Sequence, residues 1–499
     1  MLKRLQCLWT SVLLAGVAAP VLLAQGDEVA GTYPIMVQLN KAQIVMLQET
    51  GLLPPALARK IAAGIKQVAA TPPKPGARRS GDYLAFERQL IEVVGPEASN
   101  LHMGRSRIDM GASTERIAMR QDTLAIFEAM IAAREKLLPL AGKNVHTIIP
   151  GYTHAVQAQP TSLGHYLLAL DSALERDDER LRQTYARINR SPLGSAAFGT
   201  SGFALDRKRV GWLMGFDGLV ENSYDATSVS TVDSKAELAA VLAVSALALG
   251  RFSQDLVIQF GDPAPGLNLG DELVGHSSIM PQKRNPGAVE RLRMVSSAVV
   301  GDAQTVFVVS HNTPVGDVGD VRGNLVRRVQ FVTSGALQMY NVLGTILGGL
   351  VVRPDLTLAK VDQDFSTMTE LADALLRDGG IPFRTGYQVA GEVAAYGRAH
   401  GKPPKDISFE EVAQVYQKVT GQKIPLTAIQ VRQAISAPDM VGNRKGLGGP
   451  QAQEVERMLR EHRERLAASA DWLKLERKRL QDVEESLERA FVQLTMGPL

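Results

Sequence analysis

Ser234-Lys-Ala-Glu-Leu-Ala-Ala-Val-Leu-Ala-Val-Ser-Ala-Leu-Ala-Leu-Gly-Arg-Phe-Ser-Gln-Asp-Leu-Val-Ile-Gln-Phe260 decides how this chain folds. The run is rich in Ala, Leu and Val, and between Leu238 and Leu249 it has almost no polar face. A helix that is apolar all round must be surrounded by protein, so this one belongs at the centre of a bundle, and of an oligomeric one. Its neighbours extend the theme. Thr114–Leu140, Thr161–Ile188 (entered from Pro160), Pro286–Val309 and Leu325–Leu350 all read as long helices. Upstream, Ile35–Thr50, Leu57–Ala69 and Tyr83–Val94 carry apolar positions at three- and four-residue spacing. They are divided by Gly51-Leu-Leu-Pro54-Pro55 and by the loop Thr71–Gly81, which cannot continue a helix. After Pro354 the helices shorten (Phe365–Arg377, Gly386–His400, Ser408–Gln417). No strand alternation of any length and no solenoid repeat stands out, so the fold class is all-α.

The composition agrees. The chain has 499 residues, 45% hydrophobic and 21% charged, which excludes a disordered or fibrous protein. Aromatics at 5% favour packed helices over a β-sandwich. With 55 basic against 52 acidic residues, no global field would hold nucleic acid or an acidic membrane.

Both ends of the chain have their own character. Lys3 and Arg4 precede a charge-free stretch from Leu8 to Ala24, the pattern of a secretory signal peptide over 1–24. Export to the periplasm is the expected destination, with an uncleaved leader acting as membrane anchor the alternative. The one cysteine, Cys7, lies inside that leader, so a mature chain would carry no thiol. No other segment reads as apolar enough to span a bilayer. At the far end, Leu466, Leu473, Leu480, Leu487 and Leu494 recur every seven residues. An amphipathic helix packed on its own protomer is the simpler expectation. A partner-binding coiled coil is the other, against which Ser469 and Glu476 stand in the second seam. The chain then divides into the leader, an N-terminal helical domain over 27–113, a central long-helix domain over 114–353, a small helical domain over 354–465 and the Leu-heptad tail over 466–499.

Metal, nucleotide and nicotinamide chemistry are disfavoured, because no H-E-x-x-H, cysteine pair, Walker loop or strand-anchored dinucleotide loop is present. What remains is a long Gly- and Pro-rich loop over 261–286 between two long helices, the kind of segment that is normally disordered or a functional lid. It contains Ser277, Ser278, Lys283 and Asn285. Lys283 and Asn285 bring donors suited to a carboxylate, and Pro286 can start the next helix, which carries Glu290 in its first turn.

Gly275-His-Ser-Ser-Ile-Met-Pro-Gln-Lys-Arg-Asn-Pro286 resembles the G-S-S-x-x-P-x-K-x-N-P signature of the fumarase/aspartase superfamily. The rest of the chain, from about Pro34 to about Gly449, resembles the argininosuccinate lyase family within it. Leu101-His-Met-Gly-Arg-Ser-Arg-Ile-Asp109 is similar to that family's H-T-G-R-S-R-N-D, and Pro150-Gly-Tyr-Thr-His-Ala-Val-Gln-Ala-Gln-Pro160 to its P-G-Y-T-H-L-Q-R-A-Q-P. Ser191-Pro-Leu-Gly-Ser195 and Met368–Arg384 match in order. The resemblance implies a three-domain, mostly helical protomer, four of which join their longest helices and share each active site among chains. It implies elimination of a C–N bond β to a carboxylate, releasing fumarate from a small dicarboxylate-type substrate without metal or cofactor. Such an enzyme must surround the acceptor oxygens with donors before the proton leaves. By the same resemblance Ser277 would be the base and His154 the acid, oriented by Glu290. Lys283 and Asn285 would hold the carboxylate whose charge rises, with Ser278 beside them. Thr153 and Gln159 would contact the substrate, and Ser106 and Arg107 its succinyl carboxylates.

Each role has a simpler competitor: loop polarity for Ser277, backbone satisfaction for His154, an interdomain salt bridge for Arg107, and the helix dipole for Glu290. His102, His165 and His276 read as structural. The sequence also departs from the family pattern. Ile108 stands where the family has Asn, Val156 replaces a Gln, Gln157 an Arg, and His276 the Gly before the serine pair. Ser310–Asp320 occupies the place of a Y-N-x-D-L-Q-E segment, without the Tyr and Gln that contact the arginine part. The expected enzyme therefore cleaves argininosuccinate or a related N-succinyl compound whose amine need not be arginine. A fumarase-like hydratase, a lactonising enzyme or a non-catalytic periplasmic relative are the alternatives. The T-H-x-x-Q-A-Q-P wording speaks against the first, and the retained Ser277, Lys283, Asn285 and His154 against the last.

Overall fold

The computed structural model describes residues 31–73 and 81–496. The leader expected over 1–24 lies outside them, as does most of the loop Thr71–Gly81. Three helices, α1 (Thr32–Glu49), α2 (Pro55–Ala70) and α3 (Tyr83–Val94), open the chain. Then comes α4 (Arg107–Lys143), followed by a hairpin of β1 (Ile148–Thr153) and β2 (Val156–Ser162), and α5 (Leu163–Ile188). Strands β3 (Arg190–Ser191) and β4 (Gly218–Leu219) flank α6 (Arg207–Leu213). The long helix α7 (Ser230–Phe260) leads through β5 (Leu267–Leu269), β6 (Gly275–His276) and β7 (Arg284–Asn285) to α8 (Gly287–Ser310) and α9 (Leu325–Gly348). After β8 (Leu350–Val352) come α10 (Pro354–Val361), α11 (Met368–Arg377), α12 (Phe383–Ala399), α13 (Phe409–Thr420), α14 (Ala428–Ala434), α15 (Ala437–Gly442) and α16 (Ala452–Met496). Among the described residues the strands form only two-stranded ribbons: β1–β2, β5–β8 and β6–β7 antiparallel, β3–β4 parallel.

The first long helix begins at Arg107, not at Thr114, because local chemistry starts it there. Ser106 is its N-cap, its Oγ accepting from the Ile108 N–H at 3.2 Å, while the Asp109 carboxylate accepts from the Ser106 N–H at 2.7 Å. That reciprocal capping box satisfies donors a helix start otherwise leaves open.

Helices α4, α5, α7, α8 and α9 form the central bundle around one core, with Leu238, Leu242, Ala246, Leu249, Val299 and Tyr340 buried in it. A second core gathers α1–α3 with the end of α16, and a third gathers α11–α14. The opposite face of α7 stays open: Val244, Leu247 and Ile258 are exposed, as are Met294 and Val308 of α8. This corrects the expectation that nothing beyond the leader is apolar enough for a bilayer. Asp225–Phe260 and Gly287–Ser310 are long enough, and each contains an 18-residue stretch apolar enough, with mean hydropathies of 1.5 and 1.3. The cause is double duty, one apolar face in the core and a second on the surface.

The Leu-heptad tail is the later part of α16, which runs unbroken across position 465/466 and lies back along its own protomer. Leu466, Leu473, Val483 and Leu487 are buried. The two polar residues in the seam are satisfied there. Ser469 donates to the Arg465 carbonyl, and Glu476 accepts from Arg479 and from the Tyr185 hydroxyl.

Candidate active site

The bundle has two ends, and the candidate residues divide between them. At one end, β5 follows α7 and pairs with β8, which follows α9. The β1–β2 hairpin sits there as well, since Gln157 donates to the Val361 carbonyl and to Ser366 beyond α10. At the other end Arg116 of α4 donates to the carbonyls of Arg187, Ile188 and Ser230, clasping the end of α5 to the start of α7. With 31 residues in α7, at about 1.5 Å each, the ends are roughly 45 Å apart.

The loop end carries most of the candidate residues. Pairing of His276 with Arg284 and of Gly275 with Asn285 closes a small hairpin whose tip runs from Ser277 to Lys283. Arg284 anchors it, donating to the Leu269 carbonyl and pairing with Asp271. At the tip, Ser277 Oγ accepts from the backbone N–H of Met280 at 3.0 Å and of Ile279 at 3.4 Å, and the Lys283 N–H closes a turn onto the Met280 carbonyl. Two amides aimed at a half-buried hydroxyl favour its deprotonated form, the property a serine base needs. Ser278 and Lys283 are exposed and Asn285 is half-buried. Glu290 stands exposed in the first turn of α8.

His154 is presented by strain. It and Ala155 are the two residues of the β1–β2 turn, with φ of 53° and 60°. Two left-handed residues between paired strands suit the twist of a hairpin, yet neither is Gly or Asn, so the conformation is costly. Strain of this kind collects where a side chain must be held in one place. Thr153, His154 and Gln159 are all exposed, and no hydrogen bond or ion pair among the described residues joins them to Ser277, Lys283 or Glu290. The ion pair of Asp262 with Lys360 ties the start of the loop to α10, the helix that also braces the hairpin.

Ser106 and Arg107 lie at the opposite end. The single chain therefore does not bring them to Ser277. Arg107 is exposed, 3.8 Å from Asp82. The three histidines read as structural have structural surroundings or none. His102 stacks on Tyr83, and burial, then the charges of Arg105 and Arg107, hold it down to about 4. His165 bridges Thr161 and the Gly448 carbonyl. His276 is exposed in β6.

One residue without an assigned role proves central to the Arg107 end. The buried Asp109 carboxylate accepts the N–H groups of Ser106 and Met110 on one oxygen and of Gly194 and Ala196 on the other. It thereby locks the start of α4 to a loop in which Ala196, Ala197 and Thr200 all have positive φ. An acid three residues after a capping serine is a legible signal, but its second pair of partners is remote in sequence.

Comparison with known proteins bears on this arrangement. A family model described as "Lyase" matches residues 47–301, and one described as "Argininosuccinate lyase C-terminal" matches 365–437. Argininosuccinate lyase of Methanosarcina acetivorans is 32% identical over 468 residues, covering 91% of this chain and 90% of that protein. The chain belongs to the argininosuccinate lyase family. It is thus a carbon–nitrogen lyase. The Methanocaldococcus jannaschii argininosuccinate lyase is 34% identical over 440 residues, 85% of this chain and 87% of that one. Among solved structures, EDDS lyase in complex with formate superimposes with a TM-score of 0.84 at 29% identity, covering 93% and 92% of the two chains. The 3-carboxy-cis,cis-muconate lactonizing enzyme of Pseudomonas putida, at 18% identity and a TM-score of 0.68, shares the fold alone.

Proposed function

We propose that the protein eliminates an amine from an N-substituted aspartate, argininosuccinate or a related N-succinyl compound, releasing fumarate. The observation that carries this is the Ser277 hydroxyl receiving two backbone N–H groups at the tip of the β6–β7 hairpin. As an alkoxide, Ser277 takes the proton from the carbon beside the carboxylate. Lys283 and Asn285 hold that carboxylate while it carries extra charge, and Ser278 lines the same tip. The electron pair then forms the C=C bond, the C–N bond breaks, and His154, oriented by Glu290, protonates the departing amine. Thr153 and Gln159 steady the substrate. Ser106 and Arg107 bind its succinyl carboxylates, and they come from another copy because their own copy holds them at the far end. The assembly is a homotetramer packed through the exposed apolar faces of α7 and α8, which accounts for those faces without a membrane. Export through the 1–24 leader would place it in the periplasm. No metal or cofactor takes part.

The test is fumarate absorbance from the purified protein given argininosuccinate and other N-substituted aspartates. Ser277→Ala is expected to lower kcat by about 10²–10⁴-fold. Release unaffected by that substitution rules Ser277 out as base, and no release from any compound favours a non-catalytic relative.

A further inference from the structure

We infer that Lys360 is a positioning residue: near the end of α10 it fastens the stem of the His154 hairpin to the body that carries the Ser277 loop, and so sets the offset between the two. This rests on the proposed function, and it deepens that function by adding a residue that acts through others. The tips of the loop and the hairpin make no polar contact with each other, so their relative placement is decided at their roots, and both roots rest on α10. On the loop side, the β5–β8 ladder continues into α10 through the Arg353 N–H, which donates to the Gly266 carbonyl at 2.8 Å. The backbone there is pressed so close that a Cβ on Gly266 would come within 2.3 Å of Thr357 Cγ2. Asp262 completes the seat, one carboxylate oxygen accepting from the Ala264 N–H at 3.0 Å and the other from Lys360. On the hairpin side, Gln157 of β2 donates to the Val361 carbonyl at 3.1 Å, and Ile148 of β1 packs with Leu358 and Val361.

The two seats meet at Lys360. Tyr152 of β1, two residues before His154, acts on the same ammonium as Asp262. Burial opposes charge on Lys360, but the hydrogen bonds and charges of Asp262 and Tyr152 together outweigh it, and its pKa is raised. A lysine in the last turn of a helix is favourable through the helix dipole alone. The dipole does not explain why partners from two remote segments converge on it. Global stability does not explain it either, since the side chains of Lys360 and Asp262 are 38% and 25% exposed, and ion pairs this open contribute little to folding. Position is the sensitive quantity, because a misplacement of about 1 Å at a reacting group can cost about 10²-fold in rate.

The test compares the full-length wild type with Lys360→Met, Lys360→Arg, Asp262→Asn and the double variant Lys360→Met/Asp262→Asn. Fumarate release would be measured with the N-substituted aspartate that the wild type cleaves fastest, and amide hydrogen exchange of segments 148–162 and 262–286 without substrate. Lys360→Met should lower kcat about ten-fold or more, with KM within about two-fold of wild type. Its Tm should be unchanged while both segments exchange faster. Lys360→Arg should recover most of the lost kcat, and the double variant should lose no more than the worse single one, because the pair acts as a unit. An unchanged kcat in Lys360→Met, unchanged exchange in either segment, a loss that tracks a fall in Tm, or losses that multiply in the double variant would each overturn the inference. A wild type that releases no fumarate removes the proposed function instead. Faster exchange of both segments in Lys360→Met would then still support the seating, and unchanged exchange would remove that too.

Discussion

Asp109 shows how much one carboxylate can organise. Four backbone N–H groups converge on it, two from the start of α4 and two from the strained loop at Gly194–Ala196. Replacing it with alanine strands buried donors at about 1–3 kcal/mol each, so Asp109→Ala should lose about 3 kcal/mol or more of unfolding free energy in a denaturant titration. Asp109→Asn keeps acceptors and should recover part of that loss. Equal stability for wild type and Asp109→Ala would show that the clamp is not needed. At this scale the sequence was legible where function is written in order. Ser277, Lys283 and Asn285 announce themselves by spacing, and the structure adds two backbone N–H groups that donate to the Ser277 hydroxyl. The second pair of Asp109 partners and the Asp262–Lys360 pair were not legible, because long-range partners depend on how helices cross.

At the scale of elements, α16 is the clearest case. Its heptad left two readings open, and burial of Leu466, Leu473 and Leu487 on the same chain decides between them. A charged network locks the helix down. His462 of α16 reaches Asp171 at 2.7 Å and Glu175 at 3.0 Å on α5. Arg134 of α4 pairs with both carboxylates, and Arg465 pairs with Glu175. Burial opposes charge on the His462 ring, but hydrogen bonds to Asp171 and Glu175 together outweigh it, and its pKa is raised. Burial likewise opposes charge on Glu175, yet hydrogen bonds from His462 and Arg465 hold it near 2. A histidine whose folded pKa is raised adds stability that is fully present below its unfolded value of about 6.5 and is lost as pH rises through the folded one. His462→Gln should therefore lower Tm more at pH 6 than at pH 9. An equal drop at both would show that the ring acts by packing alone. The start of α4 carries the complementary lesson: periodicity located the helix, and the cap at Ser106 set where it begins.

At the scale of the whole molecule, the long helices that define the fold also divide its chemistry. About 45 Å of helix separates Arg107 from Ser277 in one chain, while Val244, Leu247, Ile258, Met294 and Val308 leave an exposed apolar surface on α7 and α8. The unbroken apolar character of Leu238–Leu249 is split by the structure into one face in the chain's own core, with Leu238, Leu242, Ala246 and Leu249, and one at its surface, with Val244 and Leu247. Which residues meet across copies depends on symmetry, which no periodicity encodes. The most direct measurement is fumarate release from mixed tetramers. Arg107→Ala and Ser277→Ala proteins, each nearly inactive alone, would be dissociated together and reassembled. If each site draws Arg107 and Ser277 from different copies, random reassortment restores both residues in about a quarter of sites, and activity should return toward that fraction of wild type. A mixture that reassembles into tetramers yet stays as inactive as its parents would contradict the shared site.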